Sequence, residues 1–257
     1  ALADEPLNAP TIVFTLDDGY QDQLDHLAPV LIKHQCDATL FVLAQMIDEQ
    51  IIPWDATLSH CIWTTSSNDL HFTFQGTRFD HTLAVASKRI AARRALTRYA
   101  KQLSADQLVS FLKQVYDKLD VDPSSAIHAY RPATWSRLRN AESQGLHIGS
   151  HGFSHRILTS LSDADALDEF TRAQALIARQ ISGSSRVFCY PSGGKGEYSE
   201  RDISLLKNLG YYGAVTSVAG NPSLAHIKSS PFEIRRQSFP TDITTFARYC
   251  SWLEFIR

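Results

Sequence analysis

The feature that most constrains this chain is a recurring unit: a short apolar, β-rich run that stops at polar residues and gives way to a helical stretch. Thr11 to Leu16 (TIVFTL) stops at Asp17-Asp18-Gly19. Ala38 to Leu43 (ATLFVL), Leu146 to Ser150 (LHIGS) and Arg186 to Tyr190 (RVFCY) repeat the pattern, the last two running into His151 and the Gly-rich loop Pro191 to Gly196. Gly213 to Thr216 and Phe232 to Arg236 read as two more strands. Runs this short and apolar suit buried strands, and alternation with helices makes the sheet parallel. Polar clusters recurring after strands, in a chain of 257 residues, favour a closed barrel over an open sheet. In such barrels the reactive groups sit at the C-terminal strand ends.

The helical stretches carry their own punctuation. One runs to about Gln35, with Pro29 marking a break or a first turn. Trp135 to Gln144 closes at Gly145. Ser162 caps a helix in which Leu167, Phe170, Ile177 and Ile181 repeat at helical spacing. Ser199 with Asp202 starts another, ended by Gly210, and a last helix covers roughly 242–255.

Between about 45 and 130 the alternation lapses. Trp54, Cys61 and Trp63 lie in an aromatic stretch that reads as irregular, and Leu70 to Phe74 alternates like a small strand. Helices follow over roughly 82–102 and 105–119, the second opened by a Ser104–Gln107 capping box. We read 1–257 as one domain with a mainly helical insertion at about 45–130.

Composition excludes more than it assigns. A formal net charge of −2 offers no global attraction to nucleic acid or to an anionic membrane. Cys36, Cys61, Cys189 and Cys250 form no CxxC pair, which argues against a zinc ribbon or a thioredoxin-like motif and for buried thiols. No run of about eighteen apolar residues is present. Residue 1 is Ala, not Met, so a cleaved or omitted N-terminal piece, with any targeting signal, is expected.

Adjacent residues of a regular strand point to opposite faces, so Asp17 and Asp18 serve one site only if the strand ends there and Gly19 lets the chain turn. His151 and His155, at i and i+4, share one face of a helical turn and can grip one cation. Ten histidines in the chain give about 0.4 such pairs by chance, so placement decides: this pair begins where a strand ends, as Asp17-Asp18 does. One carboxylate and two imidazoles with open positions suit catalytic Zn²⁺, or Co²⁺ or Ni²⁺. The other carboxylate is then free to act as a base toward water.

These residues resemble the motifs of the polysaccharide deacetylases (the NodB-homology group, carbohydrate esterase family four). Thr15-Leu16-Asp17-Asp18-Gly19 is similar to TFDDG, and His151 to His155 to the HxxxH metal motif. Thr134-Trp135, Gly145 and Ile148-Gly149-Ser150 are similar to the family's lead-in, and Phe188 to Gly193 resembles F-x-YPxG. The likeness covers about 11–43 and 131–245. It implies a distorted (β/α)7 barrel, TIM-like, and one divalent ion, with Asp18, His151 and His155 as ligands and Asp17 as general base. It also implies that Tyr190, Pro191 and Gly193 line a carbohydrate groove, where a backbone N–H helps hold the oxyanion. The implied reaction hydrolyses an N-acetyl, or less often an O-acetyl, group.

Two departures stand out. Cys189 replaces an arginine that pairs with the catalytic Asp in many members, and Arg236, or its neighbour Arg235, is the candidate substitute. The late histidine motif supplying a general acid is not recognisable. His226 is the last histidine and reads as a loop residue, leaving the general acid unassigned. His147 reads as structural.

Lys88, Arg89, Arg93, Arg94, Arg98 and Lys101 give the insertion a basic helix, either a solvated face or a contact for membrane or anionic glycolipid. Trp54 and Trp63 are either sugar platforms or packing. No Gly-x-Ser-x-Gly elbow or complete phosphate loop is present. The rival readings are a deformylase acting on a lipid-linked sugar and a non-catalytic carbohydrate-binding protein. A bacterial surface polysaccharide or its precursor is the expected substrate, with the cell envelope (periplasmic or membrane-associated) or the cytoplasm as location.

Overall fold

The computed structural model describes residues 11–251. Its strands are β1 (Phe14–Asp18), β2 (Ala38–Val42), β3 (Asp69–Phe74), β4 (Thr77–Thr82), β5 (His147–Ser150), β6 (Val187–Cys189), β7 (Gly213–Ala219) and β8 (Ile234–Arg236). The first six α-helices are α1 (Ala28–Lys33), α2 (Ala44–Glu49), α3 (Trp54–Thr64), α4 (Ala86–Ala100), α5 (Ala105–Leu119) and α6 (Ala126–Ala129). They are followed by α7 (Trp135–Ser143), α8 (Asp163–Gln180), α9 (Glu200–Asn208), α10 (Leu224–Ser229) and α11 (Ile243–Tyr249). Positions 252–255 of the expected last helix lie outside the described residues.

Six strands pair in parallel in the order β1-β2-β5-β6-β7-β8 and curl into a half-barrel. This is the distorted barrel expected, with six strands rather than seven in the sheet among the described residues. Alternation along the strands separates two environments. Leu40, Val42 and Ile148 meet the helices through Leu24, Ala28, Leu138 and Ile177. On the other face Asp17, Phe41 and Gly149 stand at one level. A Cβ at Gly149 would lie 2.7 Å from the Phe41 ring, so glycine there lets the ring pack inside beside Cys189 and Val215.

The edge strands β1 and β8 do not hydrogen-bond to each other. Arg236 on β8 bridges that seam with its side chain, donating to Thr15 and Asp17 on β1. Near β1, Pro29 does not break its helix. Proline cannot donate to the carbonyl four residues back, and a π-turn over Gln23–Leu27 absorbs the defect so that the helix continues through α1.

The insertion is more regular than the sequence suggests. The stretch with Trp54, Cys61 and Trp63 is helix α3, burying Leu58, Cys61 and Ile62. Leu70 to Phe74 belongs to a hairpin, β3 with β4, turning at Gln75-Gly76, both with positive φ as a two-residue hairpin loop requires. Phe72 and Phe79 stack across it at 4.6 Å. With Leu96, Phe111 and Val115 they form a core separate from the barrel's. Helix α4 starts at 86 because β4 uses the chain through Thr82, and the Ser104–Gln107 capping box opens α5 as expected. No helix among the described residues is long and apolar enough to cross a membrane.

Candidate active site

Strand β1 ends as a shared carboxylate site requires. Asp18 itself turns, with φ 78°, followed by Gly19 at 95°. Positive φ is uncommon for a non-glycine residue, though Asp tolerates it better than most. A Cβ on Gly19 would sit 3.0 Å from Val42, so the turn needs both glycine's missing Cβ and its φ. Gln23 holds it: its amide oxygen accepts from the N–H groups of Gly19 and Tyr20, and its amide nitrogen donates to the Asp17 carbonyl.

The histidine pair lies on a loop, not on the helical turn expected from its spacing. Gly152 has φ 87° and His155 61°. Glu169, buried on α8, shapes this loop by accepting from the N–H groups of Phe153 and Ser154 and from the Ser154 hydroxyl. The two rings end 5.3 Å apart.

Each imidazole is oriented through its outer nitrogen. His151 Nδ1 bonds the Cys189 carbonyl at 2.8 Å, and His155 Nδ1 bonds the Asp55 carboxylate at 3.0 Å. Both Nε2 atoms then face Asp18 Oδ1, at 3.4 and 3.9 Å. That oxygen is buried and has no hydrogen-bond partner. Ligating histidines are oriented through their second nitrogen in this way, and Asp18, His151 and His155 offer converging ligand atoms within 4.8 Å of one another.

The buried Asp18 carboxylate calls for a cation, which would have to displace the proton that Asp55 favours on His155. Burial pushes the Asp18 carboxyl above its ordinary range despite the two histidines, and burial pushes His151 down. Burial would also lower His155, but Asp55 outweighs it and raises the imidazole to about 9, while Asp55 itself falls to about 2. Orphan oxygen, anchored rings and donor chemistry all fit a divalent ion.

Asp17 is held differently. Arg236 donates to its two oxygens, at 2.8 Å each, and to Thr15 and the Thr216 carbonyl. Between the two arginines named from sequence, the structure pairs Arg236. Burial works against the Asp17 anion, yet the Arg236 bonds, with His151 and Cys189, bring it down to about 2. The Cys189 thiol touches Asp17 at 3.5 Å, and burial raises its pKa well above the usual thiol range.

The three residues expected to line a groove, Tyr190, Pro191 and Gly193, are all buried. The Tyr190 side chain is buried, its hydroxyl donates to the Phe232 carbonyl, and its N–H donates to the Val215 carbonyl. Pro191 packs over Gly152, and a Cβ on Gly193 would meet the Ser217 nitrogen at 2.9 Å. His226 is engaged elsewhere, bonded to the Glu233 carbonyl. His147 is exposed at the start of β5. A cavity of about 300 Å³ lies between α1 and α7, away from the histidines. Trp54 points inward, its indole donating to the His155 carbonyl, whereas Trp63 is exposed.

Gln23, Glu169 and Asp55 carried no motif. Gln23 acts within six residues of Asp17, but Glu169 and Asp55 reach the site only through tertiary packing, Asp55 from 100 residues away in sequence.

A family model described as polysaccharide deacetylase matches residues 4–214. Among solved structures, the Streptococcus pyogenes deacetylase PplD in complex with acetate aligns at 14% identity and a TM-score of 0.59, over 97% of this chain and 75% of that one. IcaB from Ammonifex degensii aligns at 14% and 0.54, over 97% and 76%. A de-N-acetylase from Aggregatibacter actinomycetemcomitans aligns at 13% and 0.50, over 92% and 74%. At these identities the likeness is one of fold. No curated protein sequence matches the chain.

Proposed function

The chain belongs to the polysaccharide deacetylase family, and on that premise we propose that it is a metal-dependent hydrolase removing N-acetyl groups from a bacterial surface polysaccharide or its precursor. The observation that carries the metal reading is Asp18 Oδ1, buried without a hydrogen bond and facing two imidazole nitrogens. Asp18, His151 and His155 would hold the ion, with Zn²⁺ the first choice for this donor set and Co²⁺ or Ni²⁺ close behind. When bound, such an ion polarises the acyl carbonyl and acidifies water.

The protein's own groups do the rest. Asp17, kept ionised by Arg236, takes a proton as water adds to the carbonyl carbon. The carbon–nitrogen bond then breaks, and we assign to Asp17 the return of that proton to the departing nitrogen, giving acetate and a free amine. The oxyanion donor is not the Tyr190 N–H, which the sheet uses. We assign that part to the N–H of Ser192, which has no acceptor among the described residues. Arg89 caps α3 and Lys101 pairs with Glu197. The exposed Lys88, Arg94 and Arg98 are the part of the basic helix that suits an anionic glycolipid or membrane.

The test is bound metal per chain in the wild type and in the His151→Ala, His155→Ala double mutant, followed by acetate release from acetylated oligosaccharides. About one ion in the wild type, lost in the mutant together with acetate release, is the expected result. A wild type that takes up none of Zn²⁺, Co²⁺ or Ni²⁺ overturns the reading.

A further inference from the structure

The insertion touches the candidate metal site through the first turn of α3. Asp55 accepts from His155 Nδ1 at 3.0 Å, and the neighbouring Trp54 indole donates to the His155 backbone carbonyl at 3.2 Å. Two consecutive residues therefore hold the ring and the main chain of one histidine. That histidine is nearly buried and sits at φ 61°, a conformation that persists only when the surroundings fix it. Helix α3 is in turn fixed from its other end and face. Thr57, Leu58, Cys61 and Ile62 are buried, and the last three belong to the insertion core with Phe72, Phe79 and Phe111. The Tyr116 hydroxyl from α5 reaches the Trp54 carbonyl at 3.5 Å.

We infer that Trp54 and Asp55 are positioning residues for His155 as a metal ligand, so that the insertion is a working part of the metal centre. The inference rests on the metal-dependent reading above. Asp55 fixes which imidazole nitrogen points at Asp18 and how the ring is rotated. Trp54 fixes the backbone from which the ring projects. Partners of this kind typically contribute about 10- to 100-fold in metal affinity.

Zn²⁺ dissociation constants, measured by competition with a chromophoric chelator on the full chain, test this, with the apo melting temperature of each variant recorded beside them. Asp55→Ala is expected to weaken Zn²⁺ binding about 10- to 100-fold at a melting temperature close to the wild type's. Asp55→Asn, which keeps a carbonyl acceptor for Nδ1–H, is expected to fall between, and Trp54→Phe to lose a smaller factor. Excess Zn²⁺ is expected to restore most acetate release to the Ala variant, which a damaged fold would not allow. Should the Ala variant not fold, the near-isosteric Asn variant decides: weakened binding supports the inference and unchanged binding overturns it. A wild type that binds tightly, with Asp55 variants binding equally tightly, overturns this inference alone. A wild type that binds no ion overturns the functional reading and this inference with it.

Discussion

The barrel rim and the insertion solve opposite problems. The insertion is organised for its own stability: a hairpin with a stacked Phe72–Phe79 pair, and α3, α4 and α5 closing an aromatic and aliphatic core. The rim holds groups that ordinary packing avoids. Asp18 and His155 have positive φ, Asp18 Oδ1 has no partner, and His151 and His155 are buried. The insertion has positive φ at Gln75 and Asp120, a hairpin turn and a helix C-cap, and a buried Thr97 Oγ1 without a partner. At the rim a positive-φ carboxylate, its partnerless oxygen and two buried imidazoles converge on one point, and that convergence marks where a fold gives up stability for chemistry. On the proposed reading, a bound cation would turn these local costs into a function.

The substitution that breaks this comparison most sharply is Asp18→Asn. It removes a buried anion with an unpaired oxygen, so the apo variant is expected to melt at or above the wild-type temperature. It also removes a ligand, so Zn²⁺ is expected to raise the wild-type melting temperature and leave the variant's unchanged. Acetate release is expected to fall about a thousandfold or more, as a cation contribution of several kcal/mol implies. An Asn variant that melts well below the wild-type apo protein would mean that Asp18 is a structural group and the rim is not strained around it.

Arg236→Ala comes next. It leaves the three candidate ligands untouched, so Zn²⁺ affinity is expected to hold. It strips the partner from both oxygens of a carboxylate that burial alone would push upward. General-base contributions of about 100- to 10,000-fold set the expected loss of acetate release. The β1–β8 seam also loses its side-chain bridge, and a lower melting temperature is expected with it. Loss of metal together with activity would show that the seam organises the whole rim.

How much of this was legible depends on how far each signal travels along the chain. Capping boxes at Ser104–Gln107 and Ser199–Asp202 act over three residues and formed where the sequence placed them. The end of β1 at Asp17-Asp18-Gly19 was equally local. Strand β4 was missed because only Phe79 of Thr77–Thr82 is buried, so no alternation shows. Helix α3 was missed because its N-cap is Pro53 with no side-chain cap, and its buried positions include Thr57 and Cys61. The HxxxH spacing suggested a helix, but Gly152 makes a turn there instead. Tyr190 was expected in a groove only through its resemblance to a family motif, and its hydroxyl instead donates to the Phe232 carbonyl inside the core. Asp55 and Glu169 reach the site by packing alone, over separations that no short motif encodes.

A core substitution asks whether the two regions stand or fall together. Phe111 is fully buried at the centre of the aromatic cluster, in contact with Phe72, Phe74, Phe79 and Tyr99. Phe111→Ala is expected to cost about 3–5 kcal/mol, read by denaturant unfolding. Because α3 belongs to that core, Zn²⁺ affinity is expected to weaken as well, though less than in Asp55→Ala. Unchanged affinity at reduced stability would separate the insertion from the metal site.

The smallest effect is the most local test of that coupling. Cys61 sits in the insertion core and Cys189 beneath Asp17, both buried, while Cys250 is exposed. Burial pushes the Cys61 thiol up to about 11 and Cys189 above the usual range, so near pH 8 neither has an appreciable thiolate fraction and each reacts only when its surroundings open. Cys250 is therefore expected to label first with an alkylating reagent, and the buried pair at rates set by local unfolding. A Zn²⁺ ion held by Asp18, His151 and His155 would stabilise the rim, so added Zn²⁺ is expected to slow Cys189 labelling. If α3 opens with the rim it holds, Cys61 slows too, by a smaller factor, and Asp55→Ala abolishes that response while leaving the Cys189 response to saturating Zn²⁺ in place. Cys61 labelling that ignores Zn²⁺ in the wild type would mean that the insertion opens independently and touches the metal site without being governed by it.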